Sequence, residues 1–262
     1  MRRTVPLTLA LSTAAALFAN VADAAPPWVD RQLTLPSGDW SFDVGLGVAH
    51  AYAPDVSPTG PGINLEGAVS PVRGLELGIR TGLRLGDDAR ATHADDYGRL
   101  FDRQTFDTSN GAFANPELRI TGSVVHGSGV ELGLEGRAFL PVNNGAQFGA
   151  MFGVPLRFHL GDHARLDTGV YVPVVFSTPL DTYFSAPIDL WFQPTARLWL
   201  GPMSGILFHS VNNHVSVPLG FGLGYQFTRT LDLKTQLLFP AINDNNGAQS
   251  FGLGVGLQVR VE

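Results

Sequence analysis

From Trp40 onward, large apolar residues occupy every second position, and glycine, polar or charged residues lie between them. The clearest run is 215–227, in which Val, Leu, Phe and Tyr alternate with Ser, Pro, Gly and Gln. A repeat of two residues is the period of a β-strand, whereas a helix repeats every 3.6 residues. The pattern predicts strands with one apolar face and one slim or polar face.

The same alternation recurs along the chain and predicts about twelve strands, an even number typical of transmembrane barrels. One run, 204–210, alternates less cleanly, and we place it between a turn at 201–203 and another at Asn212 and Asn213. The predicted strands are 40–48, 63–69, 75–85, 118–124, 130–140, 150–160, 166–176, 188–200, 204–210, 215–227, 231–239 and 251–261.

Long and short connections alternate between these strands. The tight turns include 72–74, 127–129, 161–163 and 228–229. Short turns at one end and longer loops at the other are typical of outer-membrane barrels. The longer connections are 51–62, 86–113, 142–147, 177–187, 211–214 and 241–249.

A soluble β-sandwich is the structural alternative, because it also alternates and turns frequently. Many of the predicted strands run for roughly eleven residues, which a tilted membrane strand needs and which exceeds the usual soluble strand. Their inward faces carry charges that a sandwich core would not tolerate unpaired. Aromatic residues also gather toward strand ends, as in interfacial girdles. We therefore predict one all-β, antiparallel, up-and-down transmembrane barrel over residues 39–262.

The first 24 residues have the pattern of a secretory signal peptide. Arg2 and Arg3 precede an apolar stretch over residues 7–19, and Ala22 to Ala24 form an Ala-x-Ala cleavage site. The apolar stretch is too short to span a bilayer as an anchor. We expect export, cleavage near Ala24, and an extended segment over residues 25–38 that contains Pro26 and Pro27.

Composition agrees with a membrane barrel. Charged residues make up 15% of the 262 residues, against roughly 25% in a typical soluble domain. Cysteine is absent, which excludes disulfides and thiolate metal sites. The formal net charge of −6 gives no electrostatic basis for binding nucleic acid.

Taken together, the chain resembles the bacterial outer-membrane β-barrel class, porin-like but without likeness to a particular family. The resemblance implies residence in the outer membrane, contact with its lipid and insertion by the barrel-assembly machinery. Such barrels usually end on an aromatic residue, whereas this chain ends in Val261 and Glu262.

Inward charges on neighbouring strands predict a wall of alternating sign in the lumen, facing an aromatic side. We expect the wall to act as the selectivity element of a narrow passive channel for small hydrophilic solutes. Inward glycines near the seam between the first and last strands indicate open space beside it. They are Gly45, Gly47, Gly220, Gly222, Gly224, Gly252, Gly254 and Gly256. The predicted pore-lining residues are Glu66, Arg80, Arg84, Glu117, Arg119, Glu135, Arg137, Tyr171 and Trp191.

Two other functions remain open at this stage. The same charges can pair with one another inside a closed, purely structural barrel. A rim-sited hydrolase would need His50 or His214 within reach of Asp95, Asp96 or Asp181. The acidic loop 86–113 has the oxygens that Ca²⁺ prefers but no EF-hand spacing. Since no catalytic motif is present either, we predict no catalytic residues, metal or cofactor.

Overall fold

The computed structural model describes residues 27–50, 59–84, 113–127, 129–142, 147–245 and 247–261. Thirteen β-strands form one sheet that closes on itself, because β1 pairs with both β2 and β13. All pairs of neighbouring strands are antiparallel. The strands are β1 Trp40–His50, β2 Thr59–Val72, β3 Leu75–Arg84, β4 Phe113–His126, β5 Val130–Phe139, β6 Gly149–His159, β7 Ala164–Val175, β8 Asp181–Phe192, β9 Leu198–His209, β10 His214–Ser216, β11 Leu219–Gln226, β12 Leu231–Phe239 and β13 Phe251–Val261.

The short β10 and the longer β11 together occupy one strand position of the barrel, and we call each such position a stave. Both pair with β9, and only Val217 and Pro218 separate them. Proline lacks the N–H that a strand ladder needs, so it interrupts the stave at this point. The barrel therefore has twelve staves in up-and-down order, and the predicted fold class is confirmed.

Each stave turns an apolar face outward and a polar or small face inward. In β1, Phe42, Val44 and Leu46 are exposed, whereas Ser41 and Asp43 are buried. Phe152 on β6 is the most exposed of the large apolar side chains, at 69%. An outward apolar band around a closed barrel is the surface that lipid requires. Among the described residues, no helix is long and apolar enough to cross a membrane.

The connections divide the barrel into a short-turn end and a long-loop end. The turns after β2, β4, β6, β8 and β11 form the short-turn end, where β1 begins and β13 ends. The long connection between β3 and β4, residues 85–112, which includes Asp95 and Asp96, lies outside the described residues. The predicted signal peptide, residues 1–24, also lies outside them.

The predicted turn at 201–203 is wrong, because these residues lie inside β9. The turn instead spans 193–197, so β8 and β9 are both shifted toward the N-terminus and the predicted loop 177–187 ends at Asp181. Thr195 stabilises this turn, since its Oγ1 accepts the N–H of Leu198 at 3.0 Å. The predicted turn at 201–203 and the observed turn at 193–197 each contain a proline. Only the observed turn has the capping hydroxyl, that of Thr195.

Gly201 must remain a glycine for β8 and β9 to approach each other, because a Cβ atom there would overlap the carbonyl oxygen of Leu190. We predict that Gly201→Ala lowers the free energy of unfolding by about 2 kcal/mol. Gly136→Ala is the control, since its Cβ would meet Ile120 at an ordinary 3.4 Å. Urea titrations, in which the folded fraction is read from unheated gels, measure the free energy of unfolding of both variants. Equal stability of the two variants would contradict the packing described here.

Candidate functional site

The charged side chains of β2 to β5 lie in register inside the barrel. Glu66 is opposite Arg80 in the β2–β3 ladder, and Arg80 is opposite Glu117 in the β3–β4 ladder. Arg119 and Arg137 are opposite one another on β4 and β5. All of these side chains are largely buried in the lumen.

Ion pairs join these residues into one continuous network. Arg80 donates from Nε to Glu66 at 2.7 Å, and its Nη1 lies 3.7 Å from Glu117. Arg137 reaches both Glu117, at 3.1 Å, and Glu135, at 2.8 Å. Because each buried charge has an opposite charge beside it, the wall is electrostatically compensated. Arg84 was also predicted to belong to the wall. It is the last residue of β3, and the structure describes only its backbone.

Inward glycines allow long cationic side chains to cross from one strand to the next but one. Arg119 on β4 lies over Gly78 on β3, where a Cβ would be 3.1 Å from Nε, and reaches Glu66 at 3.0 Å. Lys234 on β12 faces Gly256 of β13 and contacts Asp43 of β1 at 3.1 Å. The glycines near the seam thus provide room for ion pairs.

The opposite side of the lumen is packed with large side chains. Trp191 and Trp199 are fully buried, and Tyr171 packs with Phe139 and Met151. The predicted open space at Gly224 is wrong, because the ring of Trp199 lies where its Cβ would be. Glycine there makes room for a tryptophan and not for a passage.

The N-terminal segment, residues 27–38, enters the lumen from the short-turn end. Trp28 stacks on Trp199 with ring centroids 5.0 Å apart and 5° between planes, and it meets Trp191 edge-on at 5.2 Å. The Arg165 guanidinium lies 3.6 Å from the centre of the Trp28 ring. Stacking and cation–π contact together hold this side chain inside the barrel.

Polar groups of the barrel wall satisfy the backbone of this segment. Its N–H groups at Val29, Leu33 and Leu35 donate to side chains of the wall, and its carbonyl groups accept from them. Buried backbone groups need such partners because water cannot reach them freely. The bonds are Val29 N to Gln193 at 3.0 Å, Leu33 N to Glu131 at 2.8 Å, Leu35 N to Glu76 at 3.0 Å, Arg165 to Trp28 O at 2.9 Å and Arg157 to Arg31 O at 2.7 Å.

Two spaces lie beside the segment. A cavity of about 130 Å³ separates it from the wall residues Glu66, Arg80 and Arg119. A more open space of about 390 Å³ lies at the short-turn end beside Asp30 and Asp162. Gln32 lines both spaces, so both lie along the segment.

Several charged lumen residues were missing from the sequence-based site. They lie at the short-turn end, where Arg157 and Arg165 share Asp167 at 2.7 and 2.8 Å and Arg31 pairs with Asp232. As a result, charge extends around most of the lumen and is not confined to one wall. The alternation of β6, β7 and β12 already put Arg157, Arg165, Asp167 and Asp232 on the inward face, which was the available signal.

The histidines of the long-loop end pair differently from the expectation for a rim hydrolase. Asp181 contacts His209 at 2.6 Å, whereas a rim hydrolase would need it within reach of His50 or His214. His214 instead contacts Asp244 at 3.1 Å and Ser216 Oγ at 3.2 Å, while His50 contacts Thr59 at 2.6 Å. Within the described ranges, no cluster of three or more His, Asp or Glu residues is arranged to hold a metal ion.

No protein-family model and no curated protein matches the sequence. Solved structures share its fold, including an outer membrane channel from Pseudomonas putida F1, which aligns with a TM-score of 0.60 and 12% identity over 93% of this chain and 100% of that one. The NanC porin aligns with a TM-score of 0.58 and 8% identity over 84% and 100% of the two chains. The KdgM porin gives 0.56 and 9% over 85% and 99%. The resemblance to outer-membrane barrels is confirmed at the level of the fold.

Glu66 connects two arginines, so its charge is central to the wall. We predict that Glu66→Gln lowers the free energy of unfolding by about 3 kcal/mol, because it leaves Arg80 and Arg119 undercompensated in a buried site. Asp162→Asn removes an exposed turn carboxylate and is expected to change stability by less than about 0.5 kcal/mol. Urea unfolding of both variants in lipid vesicles measures the difference. Equal effects would contradict a buried, compensated wall.

Proposed function

We propose that this protein is a narrow passive channel of the outer membrane for small hydrophilic solutes. The observation that carries the proposal is a closed twelve-stave barrel whose lumen holds a polar cavity and, toward the short-turn end, a wider space. The fold it shares with outer-membrane channels supports the same function. The charged wall from Glu66 to Arg137 is its selectivity element.

In this proposal the short-turn end faces the periplasm, and the apolar band contacts outer-membrane lipid. Insertion depends on the barrel-assembly machinery, after export directed by residues 1–24. Residues 27–38 narrow the route, since Trp28 and Val29 lie deep among Trp191, Trp199 and Met203. Passage is therefore limited to small solutes that fit beside this segment.

The protein acts without catalysis in this proposal. The hydrogen-bonded chain Ser216–His214–Asp244 resembles a hydrolytic arrangement, but two adjacent backbone N–H groups are already used. His214 N donates to Asn212 at 3.1 Å, and Val217 N donates to Asn243 at 2.6 Å. Neither is therefore positioned to stabilise an oxyanion, which acyl transfer requires.

A closed structural barrel is the competing function, since the wall charges pair with one another. Planar bilayers containing the full mature chain distinguish the two. We expect discrete conductance events, and we expect vesicles to swell in a monosaccharide but not in a tetrasaccharide. If neither conductance events nor swelling is observed, the channel is overturned and the structural barrel is favoured.

Trp28 holds the narrowing segment in place, so its removal should widen the route. We predict that Trp28→Ala raises the single-channel conductance by about twofold, because the segment loses its contacts with Trp199 and Arg165. Trp40→Ala is the matched control, since Trp40 is 45% exposed on the outer surface. A conductance that rises equally in both variants, or in neither, would contradict this role for the segment.

A further inference from the structure

The cavity of about 130 Å³ has a marked excess of positive side chains. Seven of its seventeen lining residues are Arg or Lys, and four are Asp or Glu. The excess lies at the short-turn side, between the N-terminal segment and the ends of β6, β7 and β13. Four guanidinium groups approach the cavity there, those of Arg31, Arg157, Arg165 and Arg260.

Among the described residues, only two carboxylates form ion pairs with these four guanidinium groups. Asp232 pairs with Arg31, and Asp167 is shared by Arg157 and Arg165. The Arg260 side chain donates from Nε to Gln258 at 3.0 Å and forms no ion pair with any described residue. Guanidinium groups therefore outnumber the carboxylates that are paired with them in this corner of the cavity.

A buried donor in the same corner has no acceptor. Arg165 is 3% exposed, and its Nε has no hydrogen-bond partner among the described residues, although its Nη1 and Nη2 bind Trp28 O and Asp167. Leaving a charged donor buried and unpaired costs free energy that a bound acceptor would recover. The unpaired Nε donor of Arg165 and the surplus of guanidinium groups both point to a negatively charged ligand that accepts hydrogen bonds.

We infer that this cavity binds a small oxyanion, of the carboxylate or phosphate class. Guanidinium groups match such anions because their planar donors can form paired hydrogen bonds. A volume of about 130 Å³ is close to the ~150 Å³ cavity that accommodates a benzene-sized molecule, so the ligand is a small anion and not an oligomer. Anions are accordingly the solute class that the channel favours, and this part rests on the proposed function.

Arg260 offers a selective test because its replacement leaves no carboxylate without a partner. The probe is inorganic phosphate, titrated calorimetrically against the full mature protein in zwitterionic detergent at constant ionic strength. We expect Arg260→Gln to raise the dissociation constant about tenfold. Arg73→Gln removes the same charge from the exposed β2–β3 turn and should leave the dissociation constant unchanged. No measurable phosphate binding, or equal weakening by both variants, would overturn the site.

Conductance separates this site from the channel itself. In a potassium chloride gradient, the reversal potential should favour chloride, and phosphate should reduce the current of the unmodified protein more than that of Arg260→Gln. Phosphate binding without any conductance would support the site and overturn the channel. Conductance that prefers potassium, with no block by phosphate, would overturn the site and leave the channel standing.

Discussion

Closure of the sheet through the β1–β13 ladder is the constraint on which the rest of the structure depends. In a bilayer an open edge would leave backbone N–H and C=O groups without partners, so a spanning sheet must close. Eleven consecutive residue pairs, from Trp40 with Val261 to His50 with Phe251, make this join. Once it forms, the alternating side chains are separated into a lipid face and an enclosed lumen.

Enclosure explains why the lumen charges pair so extensively. Charges inside a narrow barrel have little water to solvate them, so most of them lie beside an opposite charge. The strands provide these opposite charges in two ways: direct cross-strand pairs such as Glu66 with Arg80, and long cations that cross over inward glycines. The glycines and the cations therefore serve one purpose, although they appear unrelated along the chain.

The N-terminal segment is held in place by polar side chains of the barrel that face the lumen. Glu76 and Glu131 accept its N–H groups, and Arg157 and Arg165 donate to its carbonyl groups. These polar bonds anchor the segment, while the stacked Trp28 fills space between Trp199 and Arg165. The segment is consequently part of the lumen wall, and it encloses the cavity in which the positive excess lies.

The sequence by itself determined the fold class, because a period of two specifies which side chains share a face regardless of what they contact. It also placed Glu66, Arg80 and Arg119 on neighbouring inward faces. It misplaced the turn between β8 and β9, since proline appears at both candidate positions and only local capping by Thr195 distinguishes them. Periodicity also does not state whether the space beside an inward glycine is empty or filled.

Only the tertiary structure decided the partners. Arg31 and Asp232 are 201 residues apart, and Gln258 and Asp43 are 215 apart, so their contacts exist only because the barrel closes. The path of residues 27–38 was likewise beyond the sequence, since a short segment that begins with a 3₁₀ turn at Trp28–Asp30 has no repeat that marks its surroundings. Alternation tells which way a side chain points, and closure determines what it meets there.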